Sequence, residues 1–119
     1  MRSTNLLDDL EYHHDHPYAQ PLYVDKNGRV IRFMLKPGQI ISEHNAPSSP
    51  FYAVVIKGHG VFAGADGIEH EFGPNSILIF DEGEDHMVRA LDEELVFVGF
   101  LHGVEGTRLG KIGGLLGDE

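Results

Sequence analysis

The sequence contains no cysteine, and that gap removes disulfides, thiol catalysis and thiolate metal sites together. Basic residues are scarce: nine Lys and Arg stand against 19 Asp and Glu, a formal charge of −10 with all eight His neutral. Such a surface repels phosphate backbones and anionic lipid, so neither nucleic acid nor a membrane surface is an expected partner. Long apolar runs are also missing, and none approaches the ~20 residues of a membrane span. The opening Met1-Arg2-Ser3-Thr4-Asn5-Leu6-Leu7-Asp8-Asp9 carries acids where a signal peptide would have its apolar stretch,. A soluble, cytoplasmic protein is expected. No Ser-His-Asp order, phosphate loop or dinucleotide fingerprint occurs, so nucleophilic and nucleotide chemistry have no support.

What remains is one domain's worth of chain. A length of 119 residues buries roughly two-thirds of the surface its unfolded form exposes, enough to fold without a structural metal. The 15 Gly and 6 Pro favour many short segments joined by tight turns over a few long helices. Residues 1–20 read as a polar, acidic N-terminal arm, with one helical turn around Leu6, Leu7 and Leu10 and the run Tyr12-His13-His14-Asp15-His16 at its centre. From Pro21 to His102 the pattern is strand after strand, about nine in all, spaced about 8–12 residues apart as in a sandwich or barrel,. Asn27-Gly28 and Gly64-Ala65-Asp66-Gly67 are hairpin signals,. Leu95-Val96-Phe97-Val98-Gly99-Phe100-Leu101 is the most apolar segment, and residues 103–119 read as a Gly-rich tail. The fold class is all-β.

Two stretches carry a resemblance. The first runs from Pro37-Gly38 through His44, six residues after that glycine, to Lys57-Gly58-His59-Gly60. The second runs from Gly73-Pro74 through Ser76–Phe80 to Gly83-Glu84-Asp85-His86. Together they are similar to the two sequence motifs of the cupin family, over about residues 30–101. The resemblance implies a small single-domain cupin: one antiparallel jelly-roll β-barrel behind an N-terminal arm, often paired as a homodimer. It also implies a metal site of three His and one Glu, and here the chain departs. Ala46 stands where a ligand His belongs and Phe51 where the ligand Glu belongs. Asp81 replaces a Pro, and Ala90 stands where Asn is frequent. Of the four ligands only His44 and His86 are present.

Two imidazoles fall short of the three protein ligands that catalytic zinc and non-haem iron sites take. His102, just past the last strand, is the first candidate for a third. Strand alternation puts residues 40, 42 and 44 on one face and Glu43 on the other. Three readings follow. In the first, His44 and His86 are hydrogen-bonding anchors in a non-catalytic barrel that binds a small molecule, with Met34, Ala46, Phe51 and Phe97 lining its pocket. In the second, Fe, Mn, Ni or Zn sits on His44, His86 and a third group such as His102, in a dioxygenase- or isomerase-type enzyme. In the third, the chain is a dimerisation module whose arm exchanges onto its partner's sheet. His13, His14 and His16 read as a solvated cluster, His59 and His70 as surface residues, and Asp81-Glu82-Gly83-Glu84-Asp85 as a solvated turn.

Overall fold

The computed structural model describes residues 1–44, 49–102 and 113–117, with the side chains of Glu43 and His44 outside that set. Nine strands follow one another: β1 (Tyr18–Asp25), β2 (Gly28–Leu35), β3 (Ile40–His44), β4 (Phe51–Lys57), β5 (Gly60–Ala63), β6 (Glu69–Phe72), β7 (Ile77–Phe80), β8 (His86–Ala90) and β9 (Leu95–His102). They form two antiparallel sheets, one ordered β1-β2-β9-β4-β7 and the other β3-β8-β5-β6. The architecture is the expected all-β jelly roll. No helix among the described residues is long and apolar enough to cross a membrane.

Local chemistry sets the turns. The β1–β2 hairpin closes at Asp25 opposite Gly28, so Gly28 is already strand and the loop is Lys26-Asn27. Asp25 Oδ1 accepts the N–H of Asn27 at 2.7 Å and of Gly28 at 3.1 Å, a side chain substituting for a backbone turn. Gly58 has a φ of 78°, and a Cβ there would run into the carbonyl of Glu94. Only glycine fits that corner.

The core between the sheets is built from inward-facing residues of β2, β4, β5, β7, β8 and β9: Phe33 and Leu35, Phe51, Ala53 and Val55, Phe62, Phe80, Val88, Ala90, Leu95 and Phe97. Phenyl rings interlock through it. Phe33 stacks on Phe97 at 4.6 Å, and Phe62 meets Phe97 edge-on at 5.5 Å. Each such ring removes about 150–250 Å² from water, so the aromatics dominate the burial.

The N-terminal arm is mostly exposed but is tied to the outer face of the five-stranded sheet. Arg32, almost wholly buried, donates to the carbonyls of Leu6 and Asp8 at 3.0 Å each and to Gln20 Oε1 at 2.7 Å. Gln39 Nε2 donates to the carbonyl of His13 at 2.8 Å. Residues 6–9 form turns and bends rather than a helix. The arm packs on its own chain. The described part of the tail docks as well: Gly113 and Val24 exchange backbone hydrogen bonds of 2.7 and 3.0 Å.

Candidate functional site

His86 opens β8 and points into the barrel, 2% exposed. Its Nδ1 lies 3.2 Å from the carbonyl oxygen of Glu84. A carbonyl only accepts, so Nδ1 carries the proton. Its ring is nearly parallel to two phenyls, at 5.0 Å and 9° to Phe51 and at 4.5 Å and 20° to Phe80. The position that the family resemblance assigns to a carboxylate ligand therefore supplies an aromatic face instead. Gly99 makes this possible: a Cβ there would overlap the ring of Phe51. A glycine inside the most apolar strand was the available signal for that close approach.

His44 sits opposite His86 in the β3–β8 register, and the register slips between Ile41 and His44. The bulge breaks the expected alternation. Ile41, opposite Val88, packs on the core while Ile40 is half exposed. Ala46 lies outside the described residues.

His102 is on the other side of the five-stranded sheet from the barrel interior. It shares a hydrogen bond of 3.0 Å with Tyr52 Oη and stacks on that ring at 5.6 Å. Tyr52 alternates with Phe51 and Ala53, which face inward, so the pair lies outside. His102 is thus not brought to His86. Among the described residues no group of three His, Cys, Asp or Glu is placed to hold a metal ion. That includes the arm, where His13 pairs with Glu11 at 2.9 Å and stacks on Tyr18 at 4.1 Å.

Met34 also faces outward. It is fully buried, and the N–H of Glu11 points at its Sδ from 3.3 Å. The residue facing the barrel there is its neighbour Phe33, paired with Phe97. Because β2 is buried on both faces from Ile31 to Leu35, hydrophobicity could not reveal which side was which. Phe51 and Phe97 belong to the buried core cluster.

Two open clefts lie among the described residues, one of them, of about 300 Å³, on the outer side around Tyr52, Phe100 and His102. The other, of about 340 Å³, is lined by Pro17, Ala19, Phe33, Ile40, Ile41 and Ser42. It separates the β1–β2 side of one sheet from the β3 edge of the other. Five of its six lining residues are hydrocarbon, and Ser42 contributes the one polar side chain.

The acidic turn is organised by Glu84. Its carboxylate accepts the N–H of Asp81 at 2.8 Å and of Ala65 at 2.9 Å, tying the β7–β8 turn to the β5–β6 turn. Those two backbone donors hold its pKa below the ordinary carboxylate value,.

No protein-family model and no curated protein matches the sequence. Solved structures do. An RmlC-like cupin protein from Desulfovibrio desulfuricans is 24% identical, with a TM-score of 0.76 over 85% of this chain and 96% of its own. A conserved protein with a double-stranded β-helix domain from Klebsiella pneumoniae is 20% identical, with a TM-score of 0.80 over 100% of this chain and 99% of its own. A cupin superfamily protein from Desulfitobacterium hafniense is 14% identical, with a TM-score of 0.68 over 78% of this chain and 83% of its own. At these identities the likeness is one of architecture. This chain has the cupin fold, the double-stranded β-helix.

Proposed function

We propose that the chain binds a small, largely apolar molecule in the cleft lined by Pro17, Ala19, Phe33, Ile40, Ile41 and Ser42, without a metal and without catalysis. The observation that carries this reading is the pairing of an aromatic-flanked His86, stacked on Phe51 and Phe80, with an open cleft walled by hydrocarbon and one hydroxyl. Concave, mostly apolar sites with a single orienting polar group are the usual form of small-molecule pockets. A metal does not fit the described donors: the Glu position holds Phe51, and the spare imidazole of His102 is bound to Tyr52 on the opposite face.

A second reading, a metal-dependent enzyme, draws on one observation, the placement of His44 opposite His86 across β3 and β8. One experiment separates the two. A panel of monocyclic and short-chain apolar compounds is screened by thermal shift on the full chain and on Ala19→Phe, which fills the cavity. Ligand at a hundredfold excess over its Kd adds about 2.7 kcal/mol of stability. The expected shift survives chelator and disappears in Ala19→Phe. Metal content is measured on a His13→Ser, His14→Ser, His16→Ser variant, so that the arm contributes none. A stoichiometric metal lost with His86→Ala would replace the proposal with the enzyme reading.

A further inference from the structure

The arm is held over Arg32 and Met34 on the outer face of the five-stranded sheet. Beyond them, toward the β1–β2 hairpin, that face carries two more rows of outward residues. One crosses the strands as Tyr23, Val30, Phe100 and Tyr52, the other as Asp25, Gly28 and His102. Val30 is short and Gly28 has no side chain, so together they floor a groove between the walls of β1 and β9. It is the outer cleft of about 300 Å³. Arg29 and Leu101 alternate with these residues and turn to the barrel side, where Leu101 packs on the core,.

The groove has two unlike ends. Over Val30, Tyr23 stands across an apolar floor from Phe100. Over Gly28, a carboxylate stands across from an imidazole. Asp25 spends Oδ1 on the N–H groups of Asn27 and Gly28, and its Oδ2 makes no hydrogen bond to any described residue. His102 is held in place by Tyr52 through Nε2. Two residues of strand separate the ends, about 7 Å. An aromatic ring joined to an amine by two or three carbons spans that distance.

Charge selects the amine over an acid. A chain of formal charge −10 draws cations to its surface and repels anions. The guanidinium of Arg2 lies 5.0 Å over the Tyr23 ring, so this aromatic wall already holds one cation. We infer that the groove binds a protonated arylalkylamine, its ring over Val30 between Tyr23 and Phe100 and its ammonium on Asp25 Oδ2. This site is separate from the cleft around Phe33 and Ser42, and does not depend on what that cleft holds.

The test is a titration of the full chain with phenethylamine, phenethyl alcohol and hydrocinnamate, followed by amide chemical shifts in NMR spectra. The amine is expected to bind with a Kd on the order of 1 mM, ordinary for a molecule of its size, and to move residues 23–30 and 100–102. It should bind roughly threefold tighter than the alcohol, the range of a half-exposed ion pair, and the acid should bind least. Asp25→Asn keeps an oxygen for the hairpin N–H groups and removes the charge, so amine and alcohol should then bind alike. Val30→Phe fills the floor and should abolish binding of all three, with circular dichroism and melting confirming that both variants fold. Shifts confined to the residues around the other cleft overturn the inference. So does an acid that binds as well as the amine, or an amine preference that Asp25→Asn leaves unchanged.

Discussion

The imidazole of His86 lies 5.0 Å from the phenyl of Phe51 and within 9° of parallel to it. One substitution relative to the family pattern thus changes what the barrel centre can do. A carboxylate beside that imidazole would be a second metal donor; a phenyl is a packing surface. The first prediction tests whether this pair is core. Phe51→Ala should cost about 3–5 kcal/mol in urea denaturation, the range for emptying a buried aromatic site. Benzene should restore part of the loss by filling the cavity, as apolar voids accept apolar guests. A cost below about 1 kcal/mol would be that of a residue outside the packed interior.

Gly99 is the reason the Phe51 ring can lie where it does. Gly99→Ala places a methyl against that ring and close to Phe33, and overpacking of this kind costs about 1–3 kcal/mol. In a double-mutant cycle, Phe51→Leu should relieve part of the penalty, giving a coupling energy of at least about 0.5 kcal/mol. Strict additivity would separate the two residues.

Much of the fold was legible because β-structure announces its ends. The turn residues marked nine strands, and their inward faces carry the aromatics that the core needs. What stayed hidden depended on partners distant in the chain. β1 begins at Tyr18 because Gln20 clasps Arg32, and Ala19-Gln20 has no strand signature of its own. The docking of the arm has the same origin. The side of β2 that faces the barrel was unreadable, since Arg32 and Met34 are as buried as Ile31 and Phe33. Alternation along β3 failed at a bulge, which no residue there signals. His102 was legible as a spare imidazole, but its direction follows from β9 running on through position 102 with the parity of Phe100.

Arg32 holds the arm through neutral oxygens of Leu6, Asp8 and Gln20. Arg32→Met keeps the length of the stem and removes every donor. Charge-assisted hydrogen bonds of this kind contribute about 1.5–3 kcal/mol, and a loss in that range is expected. The arm should be cut by protease at least about tenfold faster, while the barrel's amides keep their exchange protection. If instead the whole barrel unfolds with the arm, the two form one cooperative unit.

Glu84 gives the fold a dependence on acid. Its folded pKa lies below its ordinary value of 4.5 because the N–H groups of Ala65 and Asp81 favour the carboxylate. A group depressed in this way adds stability that is fully present above its unfolded pKa. That stability disappears as pH falls through the folded one. Glu84→Gln has only one oxygen for two donors, and at neutral pH it should lower Tm by roughly 3 °C. The gap between wild type and variant should then close as pH falls below about 4.5, since protonation costs the wild type the same acceptor. Melting curves of both proteins from about pH 7 to about pH 3 test the sign. A gap that widens in acid would mean that folding favours the protonated form of Glu84, a folded pKa raised rather than lowered.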